Sequence, residues 1–308
     1  MQTQHPDVDE TDPHALTDPD SLVESWQISL RAAKKSPATI KTYRKNIGLY
    51  LAWCRQGGIA PGLGHTMVTE YLAELCDEHA GATARTHLVA IRSFAKWAAK
   101  ERETGPYDLA GIERPQIDEQ VVEPFTANEL ALILKACQGR RLMDLRDAAI
   151  VHILLDCGGR AKEIVGMQRE HVRVAEGLAL VHGKGGKERF IPLGPSTCEA
   201  LDRYLRARRR HPLADSPQLW LGQRDNTFGY NALWKSLKVR ARTAGVANVH
   251  PHRFRHTFAD RWLDKGGSEG GLMRVAGWSD PSMVQRYSKA RAARRALDEA
   301  RRLNVGEL

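Results

Sequence analysis

The chain has 308 residues, 42% of them hydrophobic and 27% charged, with a formal net charge of +9. That length suits two domains that fold without staples. No apolar run approaches the roughly 20 residues of a membrane helix, no basic-then-apolar leader opens the chain, and the five scattered cysteines (Cys54, Cys76, Cys137, Cys157, Cys198) form no CxxC pair, which excludes a zinc knuckle and a disulfide framework.

The expectation is a cytoplasmic protein whose cysteines are small buried hydrophobes and whose basic excess meets a polyanion, most often nucleic acid. Residues 1–20 hold six acids and no Lys or Arg, so the rest of the chain is more basic by six charges. This acidic, aperiodic stretch reads as a disordered tail.

From residue 21 the pattern is helical. Ser36-Pro37 opens a helix with Ile40, Tyr43, Ile47 and Leu51 on one face, and Gly57-Gly58 ends it. Thr66 is placed to cap the next helix, with Val68, Tyr71, Leu72 and Leu75 inward, and Thr83 to start another, with Leu88, Ile91, Ala95 and Ala98 inward. This predicts a helical bundle over 21–103. Its other faces carry Lys34, Lys35, Lys41, Arg44, Lys45, Arg85, Arg92 and Lys96, suited to phosphate contacts or simply to water.

Residues 104–123, with prolines, glycines and no clean period, read as a linker. A second domain over 124–303 opens on the capping-box pattern Thr126-x-x-Glu129. Leu142–Cys157 reads as a buried helix. Leu178–His182 and Arg189–Leu193 flank Gly183-Lys184-Gly185-Gly186-Lys187 as a β-hairpin with a basic tip. Helices follow at about 196–210, 227–244, 252–265 and 281–302, before a short tail at 304–308. The fold class is α+β and mainly α, with one small antiparallel sheet.

Four segments concentrate phosphate-binding chemistry. In Gly158–Ile164, two glycines allow close backbone approach beside Arg160, and Glu163 is spaced to orient that guanidinium; a helix-terminal salt bridge has the same signature. The hairpin tip lacks P-loop spacing, so it is no ATP site; its lysines suit a DNA groove or a solvated turn. In Pro251–His256, the proline heads a helix that sets His252, Arg255 and His256 on one face near its anion-attracting end. The missing Glu of HExxH and the lack of a third ligand argue against zinc there. In Gly277–Tyr287, Asp280 caps a helix begun by Pro281, and Tyr287 lies about two turns in, with Met283 and Val284 behind it. By spacing alone Tyr287 is core.

Taken together, these segments resemble the tyrosine recombinase, or phage integrase, family over nearly the whole ordered chain. The resemblance implies an N-terminal SAM-like core-binding bundle and a mostly α catalytic domain without a further arm-binding domain. It matches Arg160, Glu163, Lys184, His252, Arg255, His256 and the nucleophile Tyr287 to the family's site, with Trp278 where the family places His or Trp. It further implies double-stranded DNA as partner, a homotetramer on synapsed DNA, accessory proteins in some systems, a nucleoid-associated location, and no metal, ATP or other cofactor.

Chemistry assigns the roles. Arg160 and Arg255 are permanently charged forks for the oxygens of a phosphorane-like transition state. Tyrosine, protonated at neutral pH, needs a proton acceptor, and His252 is the candidate. Lys184 would protonate the leaving 5′ oxygen, with Lys187 as substitute if the hairpin register differs. Trp278 cannot exchange protons and is positional, and Glu163 and His256 support.

A type IB topoisomerase and a DNA-binding protein with a dead site share part of this pattern. Plasmid relaxation without site preference marks the first, and an empty covalent-trapping assay the second. Ala276-Gly277-Trp278 stands where chromosome-dimer resolvases of the Xer type usually show LGH, which points to a phage or mobile-element enzyme. Gly266–Gly271 predicts a loosened segment upstream of the nucleophile, and the basic 289–303 stretch is compatible with docking on a neighbouring protomer.

Overall fold

In the computed structural model, which describes residues 13–117, 122–183, 186–223, 226–285, 299 and 301–303, capping chemistry sets the first two helices. The Asp18 carboxylate accepts from the Ser21 N–H at 3.2 Å and opens α1 (Pro19–Ala32); the Ser36 hydroxyl accepts from the Thr39 N–H at 3.1 Å and opens α2 (Pro37–Gln56). Helices α3 (His65–Glu78) and α4 (Gly81–Glu101) begin after Gly64 and Ala80 without side-chain caps, slightly before Thr66 and Thr83. Packing, rather than a cap, sets those starts: Val68, Tyr71, Leu88, Ile91 and Phe94 close on Trp26, Ile47, Tyr50 and Leu51 in one core.

These helices belong to the first of two units, residues 1–120 and 121–308, and two expectations at its edges need correction. Residues 13–20 are not a structureless tail: Leu16 is buried, its N–H donates to the Pro61 carbonyl at 2.8 Å, and α1 begins at Pro19. Residues 1–12 lie outside the described residues. The first part of the expected linker also belongs here. Leu109 and Ile112 are buried against the bundle, and the Arg92 guanidinium donates to the carbonyls of Leu109, Ala110 and Ile112. Two apolar anchors and a cation that satisfies three carbonyls hold a Pro- and Gly-containing segment that composition alone reads as free.

In the second unit the Thr126–Glu129 capping box forms as expected and opens α5 (Ala127–Ala136). Helix α6 (Leu142–Cys157) is buried on several faces and packs against α8 and α10 (below). Gly158, at φ +54°, ends it and turns the chain into α7 (Ala161–Val165). Strands β1 (Val172–Arg173), β2 (Leu178–His182) and β3 (Glu188–Pro192) form an antiparallel sheet in that order, with Val181 opposite Arg189 and His182 opposite Glu188. Then follow α8 (Pro195–Arg208), α9 (Tyr230–Ala244), α10 (Pro251–Asp264) and α11 (Glu269–Ala276), and residues 282–285 are helical again. The mainly helical α+β class with a small antiparallel sheet holds. No helix among the described residues is long and apolar enough to cross a membrane.

A buried charge network fixes α9 to α6. Arg240 donates to Asp144 at 2.9 Å, to Asp147 at 2.8 Å and to the Ala136 carbonyl at 2.8 Å, while Arg146 holds the other oxygen of Asp147. Removing one partner of such a network strands the others in a dry interior. Arg240→Met is expected to destabilise the second unit by about 3–5 kcal/mol, as a fall in the urea midpoint; an unchanged midpoint would count against the network's structural role.

The cysteines are free and differ from expectation at two places: Cys54, Cys137 and Cys157 are buried, but Cys76 is exposed and Cys198 half-buried. Burial pushes the Cys137 and Cys157 thiols up to about 12, leaving them inert.

The glycine-rich stretch 266–271 is also a correction. Gly266 and Gly267 lie between α10 and α11, outside any helix, and Gly270 and Gly271 occupy the first turn of α11, where the Ser268 hydroxyl accepts from the Gly271 N–H at 3.1 Å. A Cβ on Gly267 would stand 2.3 Å from Trp262 Nε1, and that nitrogen donates to the Ser268 carbonyl at 2.9 Å. Gly267 and Gly271 make room for the indole, Gly266 turns the chain at φ +75°, and none of the four lies mid-helix.

Candidate active site

The site is assembled where α6 ends, α10 begins and α11 ends. Helix α10 starts at Pro251, with His250 as its N-cap: His250 Nδ1 accepts from the Arg253 N–H at 3.2 Å. Histidine is outside the usual capping set, so sequence reasoning missed it. The pitch then separates the residues of this helix by role. Phe254 and Phe258 face the core; Arg253 stacks 4.0 Å from the Phe125 ring and donates to Glu129 at 2.9 Å; Arg255 turns toward Gly158. Of the two arginines in this segment, one fastens the helix and the other enters the site.

Arg255 is buried, donates Nη1 to the Gly158 carbonyl at 2.6 Å and lies 4.8 Å from the centroid of the Trp278 ring. Trp278 is itself buried against Phe258, Leu272 and Val284. It presents an aromatic face to the Arg255 cation, a contact not foreseen from spacing. Gly158 can be nothing larger: besides its positive φ, a Cβ there would meet Phe258 Cδ1 at 2.5 Å.

Arg160 follows on the other side of the Gly158-Gly159 turn. Its backbone N–H donates to Glu163 Oε2 at 3.0 Å, and its Nη1 donates to Glu163 Oε1 at 2.9 Å and to the Gly277 carbonyl at 3.1 Å. The side chain is 43% exposed, so the fork is aimed yet reachable by a ligand. Glu163 is almost fully buried. Burial works toward the acid form, but hydrogen bonds from Arg189 and from the Arg160 backbone, together with the nearby Arg189 charge, hold its carboxyl below the usual range.

Arg189 was not anticipated. Its Nη2 donates to Glu163 Oε2 at 2.7 Å and its Nε to the Val275 carbonyl at 3.0 Å. The signal was present in strand alternation, which sets Arg189 on the same face of β3 as the buried Ile191.

His252 opens the exposed face of α10. Desolvation against the site wall, then the charges of Arg255 and Arg160, hold its imidazole below the usual 6.5. In that sense the group is neutral at pH 7 and gains its proton only as pH falls through the lowered value. An NMR titration of the free protein is expected to show the His252 midpoint below 6.5 and to show it rising in Arg160→Met. A midpoint at or above the free-imidazole value would remove the electrostatic argument. His256 lies half-buried one turn on.

Lys184 and Tyr287 lie outside the described residues. Their neighbours are placed: Gly183 donates to the Lys187 carbonyl at 2.7 Å across the hairpin tip, Lys187 is exposed, and Asp280 Oδ1 accepts from the Ser282 N–H at 2.9 Å to start the helical turn toward Tyr287. Most of the basic 289–303 segment also lies outside. Among the described residues no three His, Cys, Asp or Glu side chains gather as a metal site requires.

In the first unit Lys34, Lys35, Lys41, Arg44 and Lys45 are exposed and Arg85 is half-buried. One of the expected phosphate contacts is corrected: Arg92 is committed to the carbonyls of Leu109, Ala110 and Ile112, whereas Lys96 is exposed and sits 5.1 Å from the Tyr107 ring centroid. The Arg92 side chain serves the docking of the segment after α4.

The sequence that carries this site matches known proteins. Residues 123–294 match the phage integrase family, and residues 23–102 match its N-terminal SAM-like domain. The chain belongs to the phage integrase family. Among curated family members, the tyrosine recombinase XerD of Pseudomonas putida is 28% identical over 265 residues, covering 84% of this chain and 89% of the relative. The tyrosine recombinase XerC of Chromobacterium violaceum is 29% identical over 274 residues, covering 87% and 90%. In fold the chain is similar to the XerH site-specific recombinase bound to palindromic difH substrate, with a TM-score of 0.73 at 18% identity over 92% of this chain and 84% of that one. It is also similar to the Tn1549 transposon integrase in complex with transposon right end DNA, at 0.69 and 15% identity over 90% and 99%.

Proposed function

We propose that this phage integrase family member is a site-specific recombinase that cleaves and rejoins double-stranded DNA through a covalent 3′-phosphotyrosine at Tyr287. The observation that carries the reading is the pair of guanidinium groups on either side of the Gly158 turn. Arg255 is anchored to the Gly158 carbonyl, and Arg160 to Glu163 and the Gly277 carbonyl. Two cations fixed by such bonds suit the charge that builds on a phosphate during in-line attack.

In this mechanism His252 accepts the phenol proton and Lys184 delivers one to the 5′ oxygen. Trp278 holds Arg255, and His256 supports the phosphate site. The bond energy of the cleaved linkage is kept in the phosphotyrosine, so rejoining proceeds without ATP or metal. The XerC and XerD relatives support cleavage and rejoining as the chemistry, and solved relatives bound to DNA, including a lambda integrase tetramer on a Holliday junction, support a homotetramer on synapsed DNA. Exposed Lys34, Lys35, Lys41, Arg44, Lys45, Lys96 and Lys187, with half-buried Arg85, would contact DNA phosphates, in the cytoplasm on the nucleoid, with accessory proteins in some systems.

For the biological role, Trp278 in place of the Xer-type histidine supports a phage or mobile-element integrase, and the XerC and XerD relatives support the alternative, a chromosome or plasmid dimer resolvase. The decisive test of the chemistry uses the genomic DNA flanking the gene, nicked so that a cleaved end diffuses away. Wild-type protein in EDTA is expected to become covalently attached to the 3′ phosphate. A requirement for divalent metal, or the absence of any adduct on all flanking repeats, would overturn the reading.

A further inference from the structure

Arg189 closes a ring of interactions that joins three parts of the chain. From β3 it reaches Glu163 Oε2 at 2.7 Å; Glu163 Oε1 holds Arg160 Nη1 at 2.9 Å; and that same nitrogen donates to the Gly277 carbonyl at 3.1 Å. The ring returns through the last turn of α11, where Arg189 Nε donates to the Val275 carbonyl at 3.0 Å. Gly277 lies flat on the guanidinium: at φ +67°, a Cβ there would stand 2.7 Å from Arg189 Cζ. Gly183, the residue before Lys184, borders the same pair: a Cβ there would lie in ordinary contact, 3.5 Å from Glu163 Oε1 and 3.6 Å from Arg189 Nη1. A side chain only 15% exposed thus ties the root of the lysine hairpin and the turn before Trp278 to the carboxylate that aims Arg160.

We infer that Arg189 is a positioning residue for cleavage: it fixes Glu163, and through it Arg160, while locking the hairpin and the α11 terminus to the same carboxylate. It touches no reacting atom itself. Charge explains why the carboxylate needs two guanidinium partners. With Arg160 alone, Glu163 would pull that fork wholly to itself; with Arg189 taking Oε2, Arg160 makes a single bond to Oε1 and keeps donors for a phosphate. A lysine at 189 offers one point charge and cannot serve Glu163 and the Val275 carbonyl with the same forked geometry.

The inference rests on the recombinase reading, and the test separates the two. Single-turnover cleavage of the nicked substrate is measured at saturating DNA, beside the DNA dissociation constant and the thermal midpoint, for wild type, Arg189→Lys, Arg189→Met, Glu163→Gln and the double variant Arg189→Met/Glu163→Gln. Expected is a fall in cleavage rate of roughly a hundredfold for Arg189→Met, the loss associated with about 1 Å of misplacement, with an intermediate value for Arg189→Lys and an unchanged dissociation constant. The double variant should be no slower than the slower single variant, because both break one ring. If Arg189→Met fails to fold, Arg189→Lys carries the test. Cleavage at the wild-type rate in Arg189→Lys and in whichever Met variant folds would overturn the inference. So would rate losses that multiply in the double variant, or losses that merely follow DNA affinity or thermal midpoint. If wild type itself forms no adduct, the recombinase reading fails first.

Discussion

Tyr287→Phe is expected to abolish the covalent adduct on nicked DNA while leaving DNA binding and the thermal midpoint as in wild type. The substitution deletes one oxygen and keeps the ring, so whatever the side chain packs against is preserved and only the attacking atom is lost. The other described groups of the site are poor substitutes or leave a distinguishable product. Arg160 and Arg255 are not nucleophiles, Cys157 is buried with its thiol pushed up to about 12, and a neutral-leaning His252 would give a phosphoramidate, which mass spectrometry distinguishes from phosphotyrosine. Gel shift, denaturing gel and peptide mapping together make the check. An adduct that survives Tyr287→Phe, or that maps to another residue, would reassign the nucleophile.

The second large effect is at Arg255. Arg255→Met should lower single-turnover cleavage by on the order of 10³–10⁵, the range for removing an arginine that meets transition-state charge in phosphoryl transfer, which is about 4–7 kcal/mol of barrier. Burial explains why this exceeds the expected effect at Arg189. Arg255 lies in a dry setting between the Gly158 carbonyl and the Trp278 ring, where a fixed charge acts at low dielectric and needs no reorganisation as the phosphate gains charge. Arg255→Lys retains the charge but loses the fork, so it should recover only part of the rate. Equal thermal midpoints for wild type and Arg255→Lys would confine the loss to chemistry. A reduction below tenfold in Arg255→Met would mean that this guanidinium does not meet the reacting phosphate.

Local chemistry carried much of the site. Gly158-Gly159-Arg160, Pro251-His252-x-x-Arg255 and Asp280-Pro281 announce a helix end, a helix start and another helix start. Each sets a charged or aromatic side chain at a terminus, where backbone groups are free for a ligand. Because capping and periodicity act over a few residues, α5, α6, β2 and the first turn of α10 could be read without the fold. Errors arose where a local rule met a distant partner. The 109–112 segment looks like linker until Arg92 and the bundle are present, and Gly267 and Gly271 look like weak helix until Trp262 is placed against them.

Net charge, two-unit organisation and the four segments rich in phosphate-binding chemistry are properties of the sequence, because they follow from residue identity and from spacing within single elements, and the set Arg160, Lys184, His252, Arg255 and Tyr287 follows from the family resemblance those segments carry together. That Arg253 fastens its helix to Glu129, that Trp278 offers its ring to a cation, and that Arg189 shares the carboxylate of Glu163 were decided only by tertiary structure. Partners in contacts of this kind stand 26 residues apart for Arg189 and Glu163, 97 for Arg255 and Gly158, and 117 for Arg160 and Gly277. Such pairings depend on how α6, α10, β3 and α11 pack, and no periodicity within one element records them.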